Sequence, residues 1–212
     1  MIQHILFDLD NTLYPISSGF SRQISKLMTE YVADLLSISV EDAAELRKKT
    51  TPVYGTTLKW LQKEHGFSAA EDYYEKVHPQ DVSTFLSKSP SLPRLLDSLP
   101  QGKSILSNAP IEHVNRVLRF LEVEDFFDTI FEVRSGPGTG KPDADVYTHA
   151  IRTLQIPQEN MLFVDDVPGY LLPFEKMGGY TVLIDELNLY PDSGFRRIPM
   201  IDQLPDIVKE LP

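Results

Sequence analysis

At 212 residues, with 42% apolar and 24% charged residues, the chain has the size and mix of one folded domain with a modest insert, which excludes a wholly disordered protein. Its net charge of −11 argues against broad binding to nucleic acid or anionic membranes, yet leaves room for a small phosphorylated ligand held by local positive groups. Cysteine is absent, which excludes disulfides, zinc–thiolate sites and thiol catalysis, and no apolar run exceeds strand length, too little to span a bilayer.

Residues 4–7, with Ile5-Leu6-Phe7, read as a first buried strand. No basic segment with a long apolar stretch precedes it, so no secretory signal is read and a cytoplasmic location is expected. From about Pro15 to Lys88 no strand pattern occurs. Phe20, Ile24, Leu27, Met28, Tyr31, Val32 and Leu35 instead form a stripe at helical spacing, Ser68-Ala69-Ala70-Glu71 has the pattern of a capping box, and Gly55 and Gly66 punctuate between helices. This stretch is too long for a simple strand-to-strand crossover. We expect an all-helical insert over 15–89, set into a core formed by 1–14 and 90–212. Trp60 and Tyr54 fall in that insert and read as its core.

After the insert, short apolar runs at 104–107, 129–133, 161–164 and 181–184 alternate with amphipathic stretches. Ile111, Val114, Leu118 and Leu121 share one helical face; Tyr147, Ala150, Ile151 and Leu154 share another. Near-continuous Ile, Leu, Val and Phe suit parallel strands covered on both faces. The expected architecture is an α/β fold, an open and mostly parallel Rossmann-like sheet with helices on both faces.

Chemistry-bearing residues cluster where these strands end. The first strand runs into Phe7-Asp8-Leu9-Asp10-Asn11-Thr12, and Asp8 and Asp10 would point the same way if the extended geometry continued. A lone pair of this kind more often caps a turn. Leu162-Phe163-Val164-Asp165-Asp166 ends a second strand with adjacent acids. Like charges gathered at a buried edge are costly without a cation, and a hard divalent ion with oxygen ligands supplies one. Ligands of open α/β sheets bind outside the carboxyl ends of the strands, so these acids describe a magnesium site. Ser107-Asn108-Ala109-Pro110 leads into a helix whose free N–H groups, with the Ser107 hydroxyl, could take an anion; a plain N-cap is the other reading. Lys141, in Gly140-Lys141-Pro142-Asp143, could reach a phosphate, or be a solvated loop lysine. The stretch Ser135–Lys141 imitates a nucleoside-triphosphate P-loop but has Ser135 where Gly is required and Pro142 where a hydroxyl is required. The histidines His4, His65, His78, His113 and His149 show no ligand or triad spacing and read as incidental.

Taken in chain order, Asp8-Leu9-Asp10-Asn11-Thr12, Ser107-Asn108, Lys141-Pro142 and Asp165-Asp166 resemble the four-motif signature of the haloacid dehalogenase-like hydrolase superfamily. Within it, Asp8 through Pro15 and Tyr54-Gly55-Thr56-Thr57-Leu58-Lys59 resemble the pyrimidine 5′-nucleotidase branch. The resemblance implies a helical cap between the first two motifs and a phosphatase that uses Mg2+. It implies Asp8 as nucleophile, Asp10 as acid and base, Ser107, Asn108 and Lys141 around the phosphoryl group, and metal held by Asp8, the Asp10 carbonyl, Asp166 and, directly or through water, Asp165. Tyr14, Tyr54 and Lys59 are candidates to face the leaving group. Val167 and Tyr170 depart from the residues many relatives carry there.

The expected reaction is hydrolysis of a small phosphorylated metabolite, a pyrimidine nucleoside monophosphate first. A phosphosugar or phosphoglycolate phosphatase, a phosphomutase, and a non-catalytic phospholigand-binding protein on the same fold are the alternatives. Neither a nucleic acid polymer nor a membrane is expected as partner, and the chain is expected to act as monomer or homodimer.

Overall fold

The computed structural model describes residues 1–136 and 140–212. Six strands, β1 (His4–Phe7), β2 (Gly102–Leu106), β3 (Thr129–Phe131), β4 (Met161–Asp165), β5 (Tyr180–Ile184) and β6 (Arg197–Ile198), form one sheet in the order β3-β2-β1-β4-β5-β6. Every neighbouring pair is parallel. The helices are α1 (Phe20–Leu36), α2 (Val40–Tyr54), α3 (Thr57–His65), α4 (Ala70–Val77), α5 (Ser91–Ser98), α6 (Ile111–Leu121), α7 (Ala144–Leu154), α8 (Pro168–Lys176) and α9 (Leu204–Glu210). This is the expected α/β architecture. Central strands β1 and β4 are buried along their whole length, which is why residues 5–7 and 161–164 are apolar runs.

By internal contacts the chain divides into two compact units, Met1–Ser18 with Leu86–Pro212, and Gly19–Phe85. The first holds the sheet. Leu6, Leu106, Phe163 and Leu183 pack with Tyr147 and Ala150 of α7 and with Leu171 and Phe174 of α8. Tyr147, Phe163 and Phe174 meet one another at ring-centroid distances of 5.8 to 6.0 Å, the separation of favourable aromatic pairs. Strand β6 was not read from the sequence. It has two residues and no apolar run, and tertiary bonds define it: Asp185 N donates to the Ile198 carbonyl, and Arg197 bonds to the Asp185 carboxylate at 2.8 Å.

The second unit comprises α1–α4. Phe20, Ile24 and Val32 of the α1 stripe are buried, while Leu35 is exposed and Thr29 and Ala33 take buried positions. Arg47 ties three helices together, reaching the Ser25 carbonyl and the hydroxyls of Thr29 and Thr57. Trp60 is buried; Tyr54 is partly exposed, its hydroxyl donating to Glu64. Helix α4 begins after Ala69, one residue later than the Ser68-Ala69-Ala70-Glu71 pattern places its start, and Ala69 supplies no side-chain cap. Ser39 and Thr56 are the hydroxyl caps, accepting from Asp42 N and Lys59 N. Residues 137–139 of the P-loop-like stretch lie outside the described residues. Among the described residues no helix is long and apolar enough to cross a membrane.

Candidate active site

Because β1 lies between β2 and β4, the carboxyl ends of three strands emerge side by side. Phe7 is level with Ile105 on one side and Val164 on the other. Asp8 therefore leaves the sheet next to Leu106-Ser107 and next to Asp165-Asp166. The order of connections reverses at β1, the kind of point where α/β sheets bind ligands.

Extended geometry stops as β1 ends. Thr12 N and Leu13 N both donate to the Leu9 carbonyl, closing a turn in which Asn11 adopts φ 61°. Asparagine tolerates that left-handed backbone better than most residues. The turn breaks the alternation expected for Asp8 and Asp10, and the two side chains find different partners. Asp8, buried, accepts from Lys141 Nζ at 2.7 Å. Asp10 Oδ1 lies 2.8 Å from His113 Nε2 and also accepts from the Tyr14 hydroxyl. Tyr14, a candidate to face the leaving group, is itself buried and directs its hydroxyl to Asp10.

Lys141 is no solvated loop residue: it is 1% exposed. Its ammonium bridges Asp8 and Asp165 Oδ2, the latter at 2.6 Å, and sits 5.3 Å from the Phe163 ring centroid and 5.2 Å from that of Tyr170. Tyr170, a departure in the sequence, thus supplies one of two aromatic faces against the lysine charge. Burial disfavours that charge, but attraction to Asp165 and Asp8 outweighs it and raises the Lys141 pKa. Asn108 holds the lysine's backbone at both ends, its Oδ1 accepting from Lys141 N at 2.6 Å and its Nδ2 donating to the Lys141 carbonyl at 2.9 Å. Asn108, expected at the phosphate, is therefore a clamp on the Lys141 loop. Gly140 makes the clamp possible. It has φ +99°, and a Cβ there would stand 2.5 Å from Asn108 Oδ1.

Asp165 has both oxygens engaged, Oδ2 with Lys141 and Oδ1 accepting from Val167 N at 2.8 Å. That second bond uses backbone, so the departure at Val167 costs nothing there. Asp166 accepts from Asn11 Nδ2 at 3.0 Å. Burial, with Asp8 beside it, pushes the Asp166 carboxyl up to about 7. Burial also raises Asp8 and Asp165, Lys141 opposing in both. Ser107 is buried, and its Oγ accepts from Ala109 N at 3.0 Å, which leaves its proton for another acceptor. Pro110 is the N-cap of α6.

Asp8, Asp165 and Asp166 each present an oxygen such that all lie within 4.8 Å of one another. Lys141 bonds to Asp8 and Asp165, and the buried oxygen Oδ1 of Asn11 has no hydrogen-bond partner among the described residues. The cluster carries more negative charge than the lysine offsets, and its donors are all hard oxygens. A hard divalent cation fits that chemistry. A cleft beside Asp166 is lined by Asn11, Ile16, Asp185, Leu189 and Tyr190. Tyr54 and Lys59 belong to the helical unit, Lys59 in the first turn of α3.

One functional candidate escaped the sequence reading. His113, set aside as incidental, is fully buried and bonds to Asp10. The available signal was its place in the first turn of the helix that follows Ser107-Asn108.

A model of the haloacid dehalogenase-like hydrolases matches residues 2–169, so the chain belongs to that family and is an enzyme of the hydrolase class. Glyceraldehyde 3-phosphate phosphatase of Methanocaldococcus jannaschii is similar, 24% identical over 233 residues that cover 100% of this chain and 99% of the relative. A crystal structure of a predicted phosphatase from Clostridium acetobutylicum shares the fold with a TM-score of 0.69 and 18% identity, covering 100% of both chains. L-2-haloacid dehalogenase from Xanthobacter autotrophicus does so with a TM-score of 0.64 and 15% identity, again over 100% of both chains.

Proposed function

We propose that the chain is a magnesium-dependent phosphomonoester hydrolase that works through an aspartyl-phosphate on Asp8. The observation that carries this reading is the pairing of Asp8 with Lys141 while Asp10, two positions on, is held apart by His113 and Tyr14. Lys141 favours the ionised, nucleophilic form of Asp8 against the burial that raises its pKa, and Asp10 is placed to exchange a proton. The similar phosphatase from Methanocaldococcus jannaschii supports the same class.

In the first half-reaction an Asp8 oxygen forms a bond to phosphorus. The bond from phosphorus to the leaving oxygen breaks, its electron pair stays on that oxygen, and Asp10 gives it a proton. In the second, water attacks phosphorus and passes a proton to Asp10, and the pair of the breaking bond returns to Asp8. Lys141 orients Asp8 and offsets phosphoryl charge, Ser107 donates its hydroxyl to a phosphoryl oxygen, and the N–H groups at the start of α6 do likewise. Asp8, Asp166, the Asp10 carbonyl and, through water, Asp165 would hold the metal. When bound, it supplies positive charge that offsets repulsion between an anionic nucleophile and an anionic phosphate.

For substrate, the first expectation was a pyrimidine nucleoside monophosphate, and the name of the Methanocaldococcus relative favours the phosphosugar alternative. Substrate selection is assigned to the helical unit as a cap, with Tyr54 and Lys59 as its candidates. The test is phosphate release from UMP, CMP, AMP, glyceraldehyde 3-phosphate, sugar phosphates and phosphoglycolate, with and without magnesium. Magnesium-dependent release that Asp8→Asn abolishes is expected, and the rate order names the substrate. Wild-type turnover by Asp8→Asn, free of contaminating phosphatase, would end the assignment.

A further inference from the structure

We infer that His113 is a positioning residue for the acid–base step: together with Tyr14 it fixes one oxygen of Asp10, so that the other oxygen carries the proton exchanged with the leaving group and with water. This rests on the phosphatase reading above and deepens it by naming what aims the acid.

His113 belongs to α6 and Asp10 to the turn after β1, more than a hundred residues earlier in the chain. The imidazole is 0% exposed, while the Asp10 side chain is 25% exposed. Its Nε2 stands 2.8 Å from Asp10 Oδ1, and the Tyr14 hydroxyl donates to that same oxygen. An ionised carboxylate can only accept, which assigns the hydrogen to Nε2. The Tyr14 hydroxyl is the donor there for the same reason.

Two donors converging on Oδ1 have two effects. They resist rotation of the carboxyl group about its Cβ–Cγ bond. They also oppose a proton on Oδ1, where it would meet hydrogens already pointing at that oxygen, and so direct it to Oδ2. Oδ1 remains an acceptor whether or not Oδ2 is protonated. The same pair of donors thus holds Asp10 as the acid of the first half-reaction and as the base of the second. A histidine that merely filled space under α6 would have no reason to share an oxygen with a tyrosine from the β1 turn.

The leaving group discriminates positioning from simple packing. A nitrophenolate departs with little help from a proton, whereas an alkoxide needs one. kcat/KM reports the step up to transfer onto Asp8, before the hydrolysis common to all substrates. We expect His113→Ala to lower kcat/KM for the best alkyl phosphate by about 10- to 100-fold more than for p-nitrophenyl phosphate, the range in which a misaimed general acid falls. His113→Gln, which restores an N–H donor, should recover part of the loss, and Tyr14→Phe should reproduce the selective defect. If His113→Ala does not fold, the other two variants decide. A ratio of the two substrates unchanged from wild type in the folded variants overturns the inference. Failure of the wild type to release phosphate from either substrate overturns the underlying reading instead, and Asp8→Asn, run beside them, separates the two.

Discussion

Replacing Asp166 by asparagine should stabilise the metal-free protein, and more so as pH rises. In the fold, burial and then the charge of Asp8 hold the Asp166 carboxyl at about 7, against an ordinary 3.8. Between those values the folded chain keeps a proton that the unfolded chain has lost. A raised carboxyl pKa means stability that is present at low pH and lost as pH climbs through the folded value. Integrating the shift, the penalty is roughly 2 kcal/mol at pH 5 and roughly 4 kcal/mol at pH 8. Asparagine keeps the shape and an oxygen that can accept from Asn11 Nδ2, but has no proton to lose. Urea unfolding of both proteins in chelator, across that pH range, should show the variant's advantage widening by about 2–3 kcal/mol. Added magnesium should raise wild-type stability at pH 8 and do much less for Asp166→Asn. Parallel stability curves for the two proteins would refute the reasoning, because Asp166 would then carry no penalty for a cation to relieve.

Lys141→Met should leave Asp8 and Asp165 buried beside each other without their shared cation, at a cost of about 3–5 kcal/mol near neutral pH. Protonating the carboxyls removes that repulsion, so the loss should shrink as pH falls; a loss independent of pH in denaturant titrations would contradict the assignment. Gly140→Ala should cost about 1–3 kcal/mol and lower kcat, since the added carbon meets Asn108 Oδ1 and the backbone is left-handed. Asn108→Ala should lower kcat without that backbone strain. Wild-type kcat in both variants would show that the clamp on Lys141 has no part in turnover.

The sheet was legible because β1 and β4 are buried on both faces, so that residues 5–7 and 161–164 read as apolar runs, while β2 shows only Ile105-Leu106 at its end. The carboxylates at their ends were legible because adjacent acids there have few structural uses. Strand β6 was not, since its two residues are held by partners on β5 and the Asp185 loop and carry no local pattern. The side-chain partners were not legible either. Periodicity has no way to state that Asn11 turns the chain, so that Asp8 and Asp10 part, or that Asn108 spends both ends of its amide on the Lys141 backbone. His113 was invisible for a related reason: its importance comes from Asp10, a residue brought near by the parallel pairing of β1 with β2 and the helix that follows. Tyr170 looked like a defect by comparison with relatives, and its ring against Lys141 emerged only in three dimensions.

Covalent use of Asp8 is tested most directly by trapping the phosphoryl group on it. Wild-type protein with magnesium and the best substrate of the panel should be quenched in acid during turnover, reduced with labelled borohydride to mark acyl-phosphates, and digested for peptide mapping. The label should appear on the peptide that carries Asp8, be lost when magnesium is withheld, and be absent from Asp8→Asn. Phosphate release at the full rate by a protein that never labels at Asp8, or a label on another acidic residue, would contradict the aspartyl-phosphate and with it the role given to the Asp8–Lys141 pair.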